Sequence, residues 1–332
     1  MSKEIRIEKY GPASSLAFHD AADHDPAADE VAIDVAYSGI NFADIQMRLG
    51  LYPDAPKKPF VPGYEVSGTI AAVGKHVRDV KAGDEVIAGT YFGGYASRVT
   101  LPARQVFKLP SGTDLEAGAA LPVNYFTAEL CLFEMARIRK GDRVLVEPAT
   151  GGVGVLAIQM ARHVGAEVTG LTTSPHKKAF IEQLGATAFT VDEFHGDATL
   201  RGYDLVINSS GGASITWQRE RLGMTGRIVC LGMSSMTKDG KRSYVKIASA
   251  LWHTPRISVL KLFDANTGVY ALNALHVLRD PAWIERLTSS LSQVSTMKLA
   301  PHVGKVFPAT DVAAAHGFLE TKQATGKVLL KW

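Results

Sequence analysis

The stretch Arg143 to Gly154 reads RVLVEPATGGVG and runs directly into VLAIQMARHVG. Val144, Leu145 and Val146 form a short apolar run of strand type, whereas Val155, Ile158, Gln159 and Arg162 carry the spacing that separates the apolar from the polar face of a helix. Between them lies a glycine turn. Laid on the pattern G-x-G-x-x-G, Ala149 takes the first glycine position, Gly151 the second and Gly154 the third, so only the tight-turn glycine is replaced, and by the next smallest residue. Gly151 lets the backbone approach a phosphate, and Gly154 lets the helix pack closely on the strand. The whole turn, Ala149-Thr150-Gly151-Gly152-Val153-Gly154, presents amides at a helix start, where negative charge is favoured. A pyrophosphate cradle, and with it a dinucleotide, is the expectation.

The flanking sequence extends the same pattern. Glu167 to Thr172 reads as a second strand, and Ser174-Pro175 opens another helix with Ser174 as N-cap and Pro175 in the first helical position. Asp204 to Asn208 and Gly226 to Leu231 supply two more apolar strands, followed by Gly211-Gly212 and by Gly232 respectively. Strands alternating with helices predict an α/β fold, a Rossmann doubly wound parallel sheet, with ligands at the carboxyl ends of the strands. The end of the second strand selects the dinucleotide, because a carboxylate there bonds the adenosine ribose of NAD and repels the extra phosphate of NADP. That position is Thr172. Ser174, His176, Lys177 and Lys178 then gather hydroxyl and positive charge where a 2′-phosphate would lie, so NADPH is expected over NADH, with Lys177 the foremost phosphate partner.

Before residue 112 the chain changes character. Short alternating strands punctuated by glycine run over Glu30–Val35, Val66–Ile70, Asp84–Ile87 and Ala96–Thr100, predicting a β-rich, barrel-like domain. Thr113 with Glu116 reads as a capping box starting a helical region, which Pro122 interrupts. At 332 residues, about two domains are expected. The boundaries fall at residues 1–122, 123–260 and 261–332, the last segment folding back onto the first domain. A net charge of +3 without a basic tract gives no footprint for nucleic acid. Neither a leader nor an apolar span long enough for membrane insertion is found. Cys131 and Cys230, the only cysteines, read as free buried thiols of a cytoplasmic protein. The ten histidines form no ligand-spaced cluster, so no metal is expected.

The segments NFADIQMRLGLYP (41–53), VPGYEVSGTIAAVG (61–74), AGDEV (82–86), GGYASRV (93–99), LPVNYFTAEL (121–130), PATGGVG and TGKVLL occur in an order that resembles the zinc-independent medium-chain dehydrogenases/reductases. Within them the chain is similar to the quinone oxidoreductase or zeta-crystallin group and, through Val123-Asn124-Tyr125 and the stretch from Lys241 to Leu262, to its VAT-1-like branch. The resemblance implies a GroES-like β-barrel catalytic domain built from both chain ends, a Rossmann domain between them, and a homodimer. Zinc-dependent relatives carry Cys in place of Asn41 and Gly-His-Glu in place of Gly63-Tyr64-Glu65. Without that thiolate and imidazole a catalytic zinc lacks its ligands.

A metal-free site suits hydride acceptance by a conjugated small-molecule substrate, a quinone or an α,β-unsaturated carbonyl, whose oxygen then needs hydrogen-bond donors. Tyr52 matches the tyrosine lining the cleft of quinone oxidoreductases, and Asn41 is a neutral donor at the former metal position. Tyr64 is a third candidate. At the nicotinamide end the resemblance points to Asn124 and Thr127; Asn208, Ser209, Gly232 and Phe263 are expected to border the cleft. Gln46 replaces a second cleft tyrosine, and Asp192 stands where related NADPH enzymes carry a tyrosine near the adenosine phosphate. Two other readings stay open: an enoyl-thioester reductase of lipid or polyketide metabolism, and a non-catalytic NADPH-binding regulatory or structural protein.

Overall fold

The computed structural model describes residues 1–232, 248–249 and 252–332. They fall into two compact units: one comprises Met1–Val123 and Leu275–Trp332, the other the described residues between Asn124 and Ala274. Of the stretch Lys241 to Leu262 that carries part of the VAT-1-like resemblance, residues 241–247, 250 and 251 lie outside the described residues.

The first unit begins with an antiparallel pair, β1 (Ser2–Ile7) and β2 (Leu16–Ala21), which the sequence pattern did not announce. β3 (Glu30–Ile40) is almost twice as long as the alternation of Glu30–Val35 predicts. Its first half pairs with β6 (Arg98–Pro102), and β4 (Glu65–Val73) runs beside most of its length. β5 (Glu85–Gly89) and β7 (Val106–Lys108) complete this side of the sheet. Alternate residues Val31, Ile33 and Val35 of β3 and Val66 and Ile70 of β4 point inward and join Val86, Val99 and Leu101 in one core. That is the period-2 burial of a strand with one face on a core.

The helix expected near residue 115 forms at Leu115–Gly118, but its cap is Asp114, whose side chain accepts from the Ala117 amide at 2.8 Å, and not the Thr113–Glu116 box. Both residues have the chemistry of a cap, and the chain turns helical one residue later. Pro122 opens the next helix, Pro122–Glu129, in the position where a missing N–H costs nothing.

The second unit holds six parallel strands: β8 (Arg143–Glu147), β9 (Glu167–Thr172), β10 (Thr187–Thr190), β11 (Tyr203–Asn208), β12 (Leu222–Cys230) and β13 (Gly268–Ala271). Their order, β10-β9-β8-β11-β12-β13, reverses direction between β8 and β11. That reversal is the switch point at which doubly wound sheets open a crevice. Leu145, Leu171, Val206 and Ile228 of the central strands are fully buried, beneath Phe194 and Tyr203.

Between β8 and the helix Gly152–Val164 the turn is as tight as its glycines allow. A Cβ on Gly154 would sit 2.2 Å from the Pro148 carbonyl oxygen, a backbone atom that cannot swing away. A Cβ on Gly151, by contrast, would meet nothing nearer than Pro148 Cγ at 3.7 Å.

The chain then returns to the first unit. β14 (Val303–Pro308) lies parallel to β15 (Lys327–Lys331), and β15 pairs antiparallel with the second half of β3, which accounts for the unexpected length of β3. Under this seam lies a buried polar chain. Asp44 Oδ1 accepts from the Gly63 amide at 3.2 Å, its Oδ2 accepts from the Asn41 amide at 2.7 Å and from Tyr95 Oη at 3.2 Å, and Tyr95 Oη meets His316 Nε2 at 3.1 Å. Burial raises the Asp44 carboxyl to about 7, against the lowering pull of these donors and of Lys327. Burial, with the nearby Arg48 guanidinium, lowers His316 to about 3.

Two outcomes follow from these contacts. His316 stays neutral in the fold but protonates near 6.5 once exposed, so its contribution to stability is complete above that pH and is lost as pH falls from there toward 3. Thermal unfolding should therefore show the wild type losing stability more steeply than His316→Gln between neutral and acid pH; parallel curves would contradict this. Asp44 works in the opposite sense, favouring the fold at low pH and ceasing to as pH rises through about 7. At the turn, Gly154→Ala should lower the melting temperature by several degrees, whereas Gly151→Ala should leave it nearly unchanged and yet weaken dinucleotide binding by roughly tenfold or more. Equal melting losses in the two variants would remove the distinction.

Candidate functional site

In the second unit, the helix Gly152–Val164 starts with Gly151 as its N-cap, and its first intrahelical bond is from the Val155 amide to the Gly151 carbonyl at 2.9 Å. The amides of Gly152, Val153 and Gly154 precede that bond, which is the arrangement that receives an anion. Ala149 is fully buried, its amide donating to the Leu171 carbonyl at 2.9 Å, and Thr150 is buried beside it. Asn124 packs onto this turn: a Cβ on Gly152 would lie 2.4 Å from Asn124 Nδ2. Thr127 follows one helical turn later and is likewise buried. The structure thus places both residues of the nicotinamide-end expectation on one helix, with Asn124 against the glycine turn.

At the end of β9, Thr172 is buried, and its hydroxyl accepts from the Ser174 amide at 3.2 Å. Ser174 precedes a short 3₁₀ turn, Pro175–Lys177, with Pro175 in the first position as expected, although the Ser174 side chain makes no cap bond. Lys177 is only 5% exposed, and desolvation lowers its pKa below the usual lysine value. Lys178 is committed to Glu193, at 2.9 and 3.1 Å, and not to Asp192, which is exposed in the first turn of the helix Val191–Gly196.

At the end of β11 the Asn208 side chain is spent inside the unit. Its amide donates to Ser214 Oγ at 2.8 Å and to Gln218 Oε1 at 2.6 Å, and its oxygen accepts from the Gly211 amide at 2.8 Å. This side chain shapes the loop, leaving Ser209 and the main chain as the surfaces that border the strand ends. Gly232 lies beside them, since a Cβ there would stand 3.8 Å from the Ser209 carbonyl. Phe263 is 81% exposed on the helix Val259–Ala265.

In the first unit Tyr52 meets Tyr64, and Asn41 meets Glu65. Asn41 follows β3 and is the N-cap of the helix Phe42–Arg48; Tyr52 follows that helix; Tyr64 precedes β4 and Glu65 opens it. Tyr52 and Tyr64 meet edge to face, ring centres 6.3 Å apart, within an aromatic group that includes Phe92. Burial raises the pKa of both phenols, so both stay protonated donors across ordinary pH. The Tyr64 hydroxyl is buried without a partner of ordinary hydrogen-bond geometry, and Tyr52 is the neighbour that acts on it.

Two participants escaped sequence reasoning. Lys327, 3% exposed, pairs with the fully buried Glu65 and donates to Asn41 Oδ1 at 2.6 Å, while Asn41 Nδ2 donates to Glu65 Oε1 at 3.0 Å. The only available signal was a lysine heading an apolar strand in TGKVLL and an acid opening another in GYEVSG. Among the described residues no group of three or more His, Cys, Asp or Glu side chains is placed to hold a metal ion. The same residues contain no helix long and apolar enough to cross a membrane.

Residues 27–111 match the alcohol dehydrogenase GroES-like domain, and residues 152–266 match the model described as zinc-binding dehydrogenase. A rat protein, synaptic vesicle membrane protein VAT-1 homolog, is 33% identical over 313 residues, spanning 92% of this chain and 77% of the relative. The structure of Escherichia coli quinone oxidoreductase complexed with NADPH superposes with a TM-score of 0.83 at 25% identity, over 99% of this chain and 100% of that one. The CurK enoyl reductase superposes with a TM-score of 0.83 at 27% identity, over 99% of both chains. With a GroES-like barrel, a Rossmann sheet and these likenesses together, the chain belongs to the medium-chain dehydrogenase/reductase family of oxidoreductases, in the company of its VAT-1-like and quinone oxidoreductase members.

Proposed function

We propose that the protein is an NADPH-dependent, metal-free reductase of quinones or α,β-unsaturated carbonyls. The observation that carries this reading is the donor set of the first unit. An ammonium, Lys327, already neutralises Glu65 beside Asn41, so the group presents neutral N–H and O–H donors and not the thiolate and imidazole that a catalytic zinc requires. Such donors suit an oxygen that gains negative charge as a conjugated system accepts hydride. NADPH, when bound, supplies that hydride. Asn41 and Tyr52 polarise the accepting oxygen, and the Tyr52 phenol, kept protonated by burial, can deliver the proton.

The second unit fits the cofactor. A Cβ on Gly151 would meet only Pro148, at 3.7 and 3.9 Å, which leaves room for a pyrophosphate to approach the helix amides, and the Asn124 side chain adjoins the same turn. Lys177 supplies a cation just past the end of β9, the place where a 2′-phosphate gains from positive charge, in keeping with a threonine and not an acid at position 172. The likeness to an NADPH complex of a quinone oxidoreductase supports the same choice. The likeness to an enoyl reductase makes an enoyl thioester the second acceptor class to be tried.

We further propose a homodimer formed through the second unit. Among the described residues its edge strand β13 is paired on one side only, and Trp252, Val259, Leu260 and Phe263 of the same unit are each more than three-quarters exposed. Open strand edges and contiguous apolar surface are what subunit contacts cover. A reducing, cytoplasmic setting accords with Cys131 and Cys230 remaining free thiols whose pKa values burial raises.

Nicotinamide fluorescence should report tighter binding of NADPH than of NADH, and Lys177→Ala should weaken NADPH by about tenfold while sparing NADH. Cofactor oxidation should then be seen with quinones or enones, or with enoyl thioesters if the second acceptor class applies; tight binding without turnover of any acceptor would sink the reductase reading. Tyr52→Phe is expected to lower kcat by about a hundredfold if its proton is transferred in the rate-limiting step. Sedimentation velocity should give a dimer that Leu260→Glu with Phe263→Glu converts to monomer.

A further inference from the structure

We infer that Lys327 and Glu65 are positioning residues whose joint task is to lock the Asn41 amide in one orientation, with its nitrogen as the donor offered to the accepting oxygen; this rests on the reductase reading above. An asparagine amide has two nearly isosteric ends, one accepting and one donating, and only its surroundings decide which end faces where. Here the decision is unambiguous. Lys327 can only donate, and its ammonium lies 2.6 Å from one end of the Asn41 amide, which must therefore be the oxygen. A carboxylate can only accept, and Glu65 Oε1 lies 3.0 Å from the other end, which must be the nitrogen.

The lock is set by backbone geometry. β15 pairs Val328 with Ile40, so one step further Lys327 faces Asn41; β4 pairs Val66 with Ser38, so one step further Glu65 faces Gly39. Gly39 supplies the room: a Cβ there would stand 2.6 Å from Glu65 Oε1 and 2.8 Å from the Ala119 carbonyl. Glu65 is tied a second time, its Oε2 accepting from the Val123 amide at 2.8 Å. Lys327 and Glu65 are buried, whereas Asn41 is only half-buried.

Of the two Nδ2 hydrogens one is held by Glu65, and the nearest acceptor for the other is the Gly39 carbonyl at 3.5 Å, too long for a full bond. One hydrogen of an otherwise immobilised amide therefore remains for a ligand. A donor fixed in advance by its neighbours contributes to catalysis because it does not reorganise during the reaction.

Two measurements on the full chain test this. In protein labelled with ¹⁵N-asparagine, and with Asn41→Ala for assignment, the Asn41 side-chain NH₂ should show one proton displaced downfield by its charged acceptor. Glu65→Gln, which removes the charge of that acceptor, should return the proton to the range of the other asparagines, and an unchanged resonance would overturn the lock. In steady-state kinetics, Lys327→Met should lower kcat by about tenfold with KM for NADPH altered less than about twofold, and Lys327→Arg or Lys327→Gln, which keep a donor, should recover much of the loss.

In the Asn41→Ala background the Lys327→Met loss should vanish, because Lys327 acts through Asn41; losses that multiply would overturn the proposal and leave Lys327 a structural residue. If Lys327→Met does not fold alone, Lys327→Met combined with Glu65→Gln, which removes both buried charges, carries the same comparison. A displaced amide proton in a wild type that turns over no acceptor would overturn the reductase reading and leave the locked amide standing.

Discussion

The first unit depends on a pairing between residues from opposite ends of the chain: β15 lies against the second half of β3 and brings the Lys327 ammonium to the Glu65 carboxylate. Neither charge is tolerable alone at that depth, since a buried ion without its partner costs several kcal/mol. The sheet hydrogen bonds and the ion pair support each other, for the strand register is what sets Lys327 opposite Asn41. The Trp332 indole reinforces the seam by donating to Ser38 Oγ at 2.7 Å. The segment Asn124 to Ala274 is then an insertion between two pieces that close a single barrel.

The second unit rests on a different constraint, the contact between the helix Gly152–Val164 and the turn that precedes it. Here the decisive quantity is the space for one carbon atom. Where Gly154 touches the Pro148 carbonyl no side chain fits, whereas at Gly151 a Cβ would make only ordinary contact with Pro148. One glycine serves packing and its neighbour serves access, a division that the spacing of the motif expresses in three residues.

That division was legible in the sequence because both its causes are local: an apolar strand, a glycine turn and an amphipathic helix within about twenty residues. The strands at Arg143–Glu147 and Glu167–Thr172 were legible for the same reason. Asn41 and Tyr52 could be singled out by resemblance, but the partners that give Asn41 its orientation could not, because Lys327 lies 286 residues away and carries no local pattern. Asn208 shows the converse. Its position at a strand end was readable, whereas the fact that Ser214, Gln218 and Gly211 consume its side chain depends on how the following helix packs. The length of β3 was hidden too, since residues 36–40 become a strand only when β15 supplies a partner.

The late arrival of β15 also has a bearing on how the chain is made. Synthesis completes the whole sequence of the second unit before Lys327 is joined, and domains generally fold as units during synthesis. Throughout that interval the nascent barrel has an open β3 edge and an acid at Glu65 whose counter-ion does not yet exist. The first unit is thus the last to be sealed, and the second unit can form around its own core while it waits.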